Sequence, residues 1–273
     1  MINKNVYNKL AENAKGPVDE KILGYILDDF DCTGYMNDET ICFNAGCTLE
    51  ELHGCLNNLG FENMLEFKDA VRSLTYSDQN KDAAQSINDI ANMVMRYEMT
   101  NISELVAKLD TDKLDQLAQD MISATDVYLI ASSAGSLLAP YALRILGRIG
   151  INIHLMGGAE DYTTPFVNMK RSGLVLNIMS ARYQKSAIHT LTMLREAGFR
   201  IVSLTDHPTS PAAKLSNYYI EIPSHSYDFT DSIVSGNMLL NILALYIASK
   251  DKDALIRRLR KFDDVTTALD LYI

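Results

Sequence analysis

Cysteine is scarce in this sequence: four in 273 residues, all of them between positions 32 and 55. So small a set excludes a disulfide-stapled mini-protein. Cys32, Cys42, Cys47 and Cys55 include no pair at the C-x-x-C spacing of a zinc or redox site. His53 lies two residues before Cys55, which makes a Cys/His metal cluster one alternative. Reduced cysteines packed in a small cytosolic helical domain are the reading taken, and no metal or cofactor is expected. Long apolar runs are also missing. The most hydrophobic, Met238–Ala248, is about half of a bilayer span and is interrupted by Asn241, so no membrane partner is expected. Met1–Ala14 carries Lys4, Lys9 and Glu12 and has no apolar core of a secretory signal, which points to the cytoplasm. Positive charge is short as well, with 25 basic against 35 acidic residues, a net charge of −10 and a pI near 5.0. A surface of that sign repels nucleic acid and anionic lipid unless basic residues are locally concentrated.

What is present is an ordinary globular composition, 47% hydrophobic and 22% charged, which excludes a wholly disordered chain or a collagen-like fibre. The length suits one large domain or two ordinary ones. Up to Tyr76 the chain reads as short helices. Pro17 opens one in which Val18, Ile22, Tyr25 and Ile26 recur at helical spacing. Met36–Asn44 is a second. After a break at Gly46, Thr48 is an N-cap for a third, with Glu50 and Glu51 in its first turn and Gly60 as a left-handed stop. Leu65, Phe67, Val71 and Leu74 continue as a fourth. Helix, short Gly-containing turn and helix make a helix-turn-helix pattern. Thr75–Asp82 is polar and reads as a linker. Ile87, Ile90, Val94, Leu105, Val106 and Leu109 then suggest connecting helices. The resulting division is a helix-turn-helix domain over 1–76, linker and connecting helices over 77–110, an α/β domain over 111–250 and a C-terminal helix over 251–273.

From Asp126 the period changes. Val127–Ala131, Asn152–Leu155, Leu174–Met179, Ile201–Leu204 and Tyr218–Ile222 are short β-prone runs separated by helical stretches. That alternation predicts an α/β fold, a five-stranded parallel sheet in an α-β-α sandwich. Ligands in such folds bind beyond the C-terminal strand ends. The first loop there is Ser132-Ser133-Ala134-Gly135-Ser136, whose small residues and following helix start suit an anion, although a plain serine-capped turn reads the same. The second runs from Ser180 through Arg182 and Lys185 to Ser186, with two cations that could equally be solvated surface charges. The third, Thr205–Pro211, reads mainly as structure, with Ser210 and Pro211 at N-cap and N1 of a helix.

These residues resemble a known family. The segment GRIGINIHL (147–155), the strand leading to Ser180, and above all AGFRIVSLTDHPTSPAAKLSNYYIEIP (197–223) look like a sugar isomerase (SIS) domain. With the helical domain ending in NNLGFENMLEFKDAV (57–71) before it, the chain resembles RpiR-type transcriptional regulators over nearly its full length. The resemblance implies an N-terminal helix-turn-helix, a phosphosugar-sensing SIS domain, and a homodimer or homotetramer assembled through the SIS helices. It also implies a ligand site at Ser132, Ser133, Gly135, Ser136, Ser180, Arg182, Lys185, Ser186 and Asp228, the last standing near a Glu often found in the family. Asp228 read alone is an N-cap for the helix beginning near Asp231.

Two departures stand out. Where the family's second loop reads S-x-S-G-x-T, this chain has Arg182, Tyr183 and Lys185 in place of the later Ser, Gly and Thr. Either the cations hold an anion by charge or the site has lost its ligand; a retained but altered anion site is the reading taken. The DNA-reading helix by resemblance is Thr48–Leu59, with Thr48, Glu51, Leu52 and Asn57 as contact positions, yet it contains no Lys or Arg. Residues 1–76 hold 6 basic and 13 acidic residues, poor material for phosphate contacts.

SIS domains also occur in aldose–ketose isomerases, which need a general base and an acid at the substrate. His225, Asp228 and Asp231 are the candidates and form no complete acid–base pair, so no enzyme is expected. His154 and His189 read as structural, and Arg257, Arg258, Arg260 and Lys261 as a solvated face. The expectation is a phosphosugar-responsive transcriptional regulator of carbohydrate metabolism. The alternatives are a SIS protein that no longer binds DNA and acts through a protein partner, and a sugar-phosphate isomerase.

Overall fold

The computed structural model describes residues 10–28, 38–70, 86–156, 167–180, 183–225 and 231–270. Cys32, Thr75–Asp82, Arg182 and Asp228 lie outside the described residues. The chain divides into two compact units, Met1–Met95 and Arg96–Ile273.

The first unit holds α1 (Pro17–Asp28), α2 (Asp38–Ala45) and α3 (Leu49–Asn58), with helix again over 64–70. Pro17 takes the first helical position, where its missing N–H would be unpaired in any case. Ile22, Ile26, Ile41, Leu52, Leu56 and Phe67 close one core. Buried Asp19 in the first turn of α1 accepts from the Lys15 backbone N–H and from Asn58 Nδ2 at the end of α3, both at 2.9 Å. The turn between α2 and α3 has Gly46 in the left-handed region, and Lys21 Nζ donates to its carbonyl at 3.0 Å.

In place of several connecting helices, one unbroken 22-residue helix, α4 (Ile87–Lys108), runs into the second unit. Ser86 and Asp89 cap its start reciprocally, at 3.1 and 3.2 Å. Next come α5 (Thr111–Ser123), β1 (Val127–Ser132), α6 (Gly135–Ile149), β2 (Ile153–Leu155), β3 (Leu174–Met179), α7 (Lys185–Glu196) and β4 (Arg200–Thr205). The chain closes with α8 (Pro211–Leu215), β5 (Tyr218–Glu221), α9 (Val234–Lys250) and α10 (Lys252–Ala268). The five strands pair in parallel, in the order β2-β1-β3-β4-β5. Alternate residues face opposite ways. Leu129, Leu176 and Val202 pack with α5, α6 and α9 on one side of the sheet, while Ile130, Val175 and Ile201 pack with α7 and α8 on the other. All six residues of β3 are buried, as a central parallel strand requires.

The predicted α/β sandwich is thus the fold found. The boundary shifts are small: α9 starts at Val234 instead of Asp231, and α10 spans Lys252–Ala268 within the expected 251–273. Among the described residues, no helix is long and apolar enough to cross a membrane.

Candidate functional site

Register builds the site. Ser132 of β1 pairs with Met179 of β3, Met179 with Thr205 of β4, and Thr205 with Glu221 of β5. Four strands therefore end level. Strand order reverses between β1 and β3, where open α/β sheets leave a crevice. A cleft of about 290 Å³, open mouth included, lies at these ends. Ile178, Leu204 and Ile222 give it an apolar floor. Ser180, Thr205, Asp206, Ser224 and Ser232 supply the polar groups, and the first turns of α6 and α9 (Gly135, Ile233) form its walls.

Helix termini supply the electrostatics. Thr48, Asp110, Ser210 and Asp251 each cap a helix with a side-chain oxygen. The starts of α6, α7 and α9, at Ala134, Gln184 and Ile233, receive no side-chain cap among the described residues. Two of these three termini line the cleft, and the third follows the loop that Ser180 begins. An uncapped N-terminus presents N–H groups and the positive end of the helix dipole.

Of the predicted ligand residues, Gly135 and Ser180 line the cleft. Gly135 lets α6 approach β3: a Cβ there would lie 2.2 Å from the Ile178 carbonyl oxygen. Ser132 is 2% exposed at the end of β1, and its Oγ has no hydrogen-bond partner among the described residues. Ser133 adopts a left-handed φ of 52° at the turn into α6. Ser136 is exposed, with its hydroxyl donating to the Ser133 carbonyl at 2.6 Å. Lys185 and Ser186 begin α7 as exposed residues and are not among the cleft's lining residues.

Tyr183, standing where the family has Gly, crosses instead to β4's loop: its hydroxyl donates to Asp206 Oδ1 at 2.6 Å. Thr205 and Asp206 were missed in the sequence, since the loop after Thr205 carries the helix-capping signal of Ser210-Pro211, and Ser224 and Ser232 were missed because they follow β5, outside the three loops read for ligands. That signal is real, with Ser210 Oγ accepting from the Ala213 N–H at 3.0 Å, but it conceals the cleft residues just before it. His225 pairs with Glu104 at 3.1 Å, and His154 stacks on Tyr128 and bonds Asp126 at 3.0 Å.

On α3, Thr48 and Glu51 form a capping box, which holds the Glu51 carboxyl below the usual carboxylate range. Leu52 is wholly buried in the helical core, so its side chain is not on a reading face, correcting its place among the DNA contacts. Asn57 is exposed, with Leu49, Glu50 and His53; the His53 ring bonds Asp38 at 3.1 Å. Cys42 and Cys55 are buried, and desolvation pushes their thiols up to about 11 and about 12.

Residues 120–246 match the SIS domain family. An HTH-type transcriptional regulator of Caldanaerobacter subterraneus is 20% identical, over 91% of this chain and 92% of its own length. The 3-hexulose-6-phosphate isomerase of Mycobacterium gastri is 22% identical, over 55% of this chain and 73% of its own. Among solved structures, Vibrio vulnificus NanR complexed with ManNAc-6P superposes with a TM-score of 0.71 at 16% identity, covering 97% of this chain and 99% of NanR. The sugar isomerase domain of the RpiR transcription factor from Sphaerobacter thermophilus gives 0.61 at 18% identity, over 64% and 98%.

Proposed function

We propose that this chain is an RpiR-type transcriptional regulator whose SIS domain binds a phosphorylated sugar or amino sugar in the cleft and thereby adjusts DNA binding by its N-terminal domain. The observation that carries the ligand reading is the convergence of uncapped α6 and α9 N-termini on level strand ends, because such termini favour anions without any side-chain cation. Ser180 and the Gly135 backbone hold the phosphate, with Ser132, Ser133 and Ser136 shaping the turn. Arg182, Lys185 and Ser186 add charge and hydroxyls from the second loop. Asp206, Ser224 and Ser232 of the cleft lining face the sugar hydroxyls, and the family resemblance adds Asp228 to them. The protein acts in the cytoplasm as a homodimer or homotetramer. Occupancy biases the N-terminal domains towards or away from a DNA-competent state.

A thermal-shift screen tests this with ManNAc-6P, glucosamine 6-phosphate and inorganic phosphate. A ligand specific to the folded state adds about 2.7 kcal/mol at a hundredfold excess over Kd. A rise in Tm with one sugar phosphate, lost in Ser180→Ala, is expected; no rise with any of them counts against a sensor. The second reading, an isomerase, draws on the Mycobacterium gastri relative. Turnover of a sugar phosphate, abolished by Asp228→Ala, would carry that reading instead.

A further inference from the structure

Helix α4 grips the rim of the cleft through one fully buried amide. Asn101 Nδ2 donates to the His225 carbonyl at 2.8 Å and to Ser232 Oγ at 3.0 Å, and its Oδ1 accepts from the His225 N–H at 2.8 Å. Ser232 donates in turn to Glu98 Oε2 at 2.6 Å, and His225 Nε2 meets Glu104 Oε2 at 3.1 Å. Glu98, Asn101 and Glu104 share one face of α4 at i, i+3 spacing. What they hold brackets the cleft: Ser224, next to His225, and Ser232 both line it.

Asparagine is a poor residue for a helix interior, because its side chain competes for backbone groups. A position this buried ordinarily takes an aliphatic residue. Here the amide saturates the backbone of one rim residue and the hydroxyl of the other, which an aliphatic side chain cannot do. Such a network is stiff when complete, and a lost member leaves buried polar groups unpaired. A displacement of either rim residue is therefore resisted by α4 and passed to it.

We propose that Asn101 is the positioning residue that couples occupancy of the cleft to helix α4. α4 runs unbroken back to Ile87. The proposal rests on the sensor reading only in requiring that a ligand fill the cleft. The clamp itself needs none.

Hydrogen exchange of the full-length protein, followed peptide by peptide, tests it first without ligand. In Ser232→Ala, exchange is expected to rise about tenfold over residues 96–108 as well as over 231–236, with β3 unchanged. A rise confined to 231–236, or one spread evenly through β3 and α5, overturns the coupling. Asn101→Ala is expected to loosen both sides. Should it not fold, Glu98→Gln, which removes the charge facing Ser232, is expected to loosen 231–236 from the α4 side, and no change there overturns the coupling. ManNAc-6P, glucosamine 6-phosphate and inorganic phosphate are then added. A probe that slows exchange at 231–236 and at 96–108 together in the unsubstituted protein, but at 231–236 alone in Glu98→Gln, supports coupling. Slowing at the rim with α4 unchanged overturns coupling and leaves the sensor reading standing. If all three probes leave the rim unchanged, the sensor reading falls, and the ligand-free exchange still decides the clamp.

Discussion

Gly135 and Gly54 show how neighbours, not residue type, set the consequence of a substitution. Both sit in helices. At Gly135 a methyl group would meet the Ile178 backbone, which cannot yield, so Gly135→Ala is expected to destabilise by about 3 kcal/mol through overpacking. At Gly54 nothing lies within 4 Å of an added Cβ, and Gly54→Ala is expected to stabilise by about 0.5–1 kcal/mol through helix propensity. Urea unfolding of the two variants should move in opposite directions. Asp126 supplies a pH-dependent term. His154 first, then Lys170, hold its carboxyl below the ordinary carboxylate value. A carboxyl depressed in the folded state stabilises above its unfolded pKa and loses that contribution as pH falls through the folded one. The urea midpoint of the unsubstituted protein should therefore fall more steeply below about pH 4 than that of Asp126→Asn. Equal slopes would remove Asp126 from acid unfolding. The Gly135 and Asp126 outcomes could not be read from the sequence, since each depends on partners distant along the chain.

At the level of single elements, sequence signals divide into those that concern caps and those that concern faces. Thr48 with Glu51 and Ser210 with Pro211 are local, and both form as read. Thr48→Ala should lower the stability of the N-terminal domain by about 1 kcal/mol. Faces are harder, because helical spacing does not say which stripe turns inward. Leu52 sits on the buried side of α3 and Glu50 and Asn57 on the exposed side. The exposed face of α3 carries no cation among the described residues, which should keep DNA affinity weak and its salt dependence shallow. Glu50→Lys with Asn57→Arg should tighten binding to duplex DNA at low salt and steepen the slope of log K against log salt by about 1–2. A gel shift across salt concentrations measures both, and unchanged binding would place the DNA contact elsewhere than on α3.

For the whole molecule, two compact units imply two cooperative transitions. Leu52 is wholly buried in the first unit and Leu176 in the second. Truncation of either to alanine leaves a cavity worth about 2–5 kcal/mol. In calorimetry, Leu52→Ala should lower one transition and Leu176→Ala the other, whereas a single transition lowered by both would mean that the units unfold together. By itself the sequence determined the parallel α/β sandwich, all five strands to within a residue or two, and the helix-turn-helix before it. These follow from periodicity, caps and turns, which act over a few residues. Only the tertiary structure decided that Gly135 and Ser180 line the cleft while Lys185 points to solvent, that Tyr183 bonds Asp206, and that Asn101 grips residues more than a hundred positions away. Sheet register and helix packing bring those groups together, and both come from burying the whole core at once, a quantity that no short window of sequence contains.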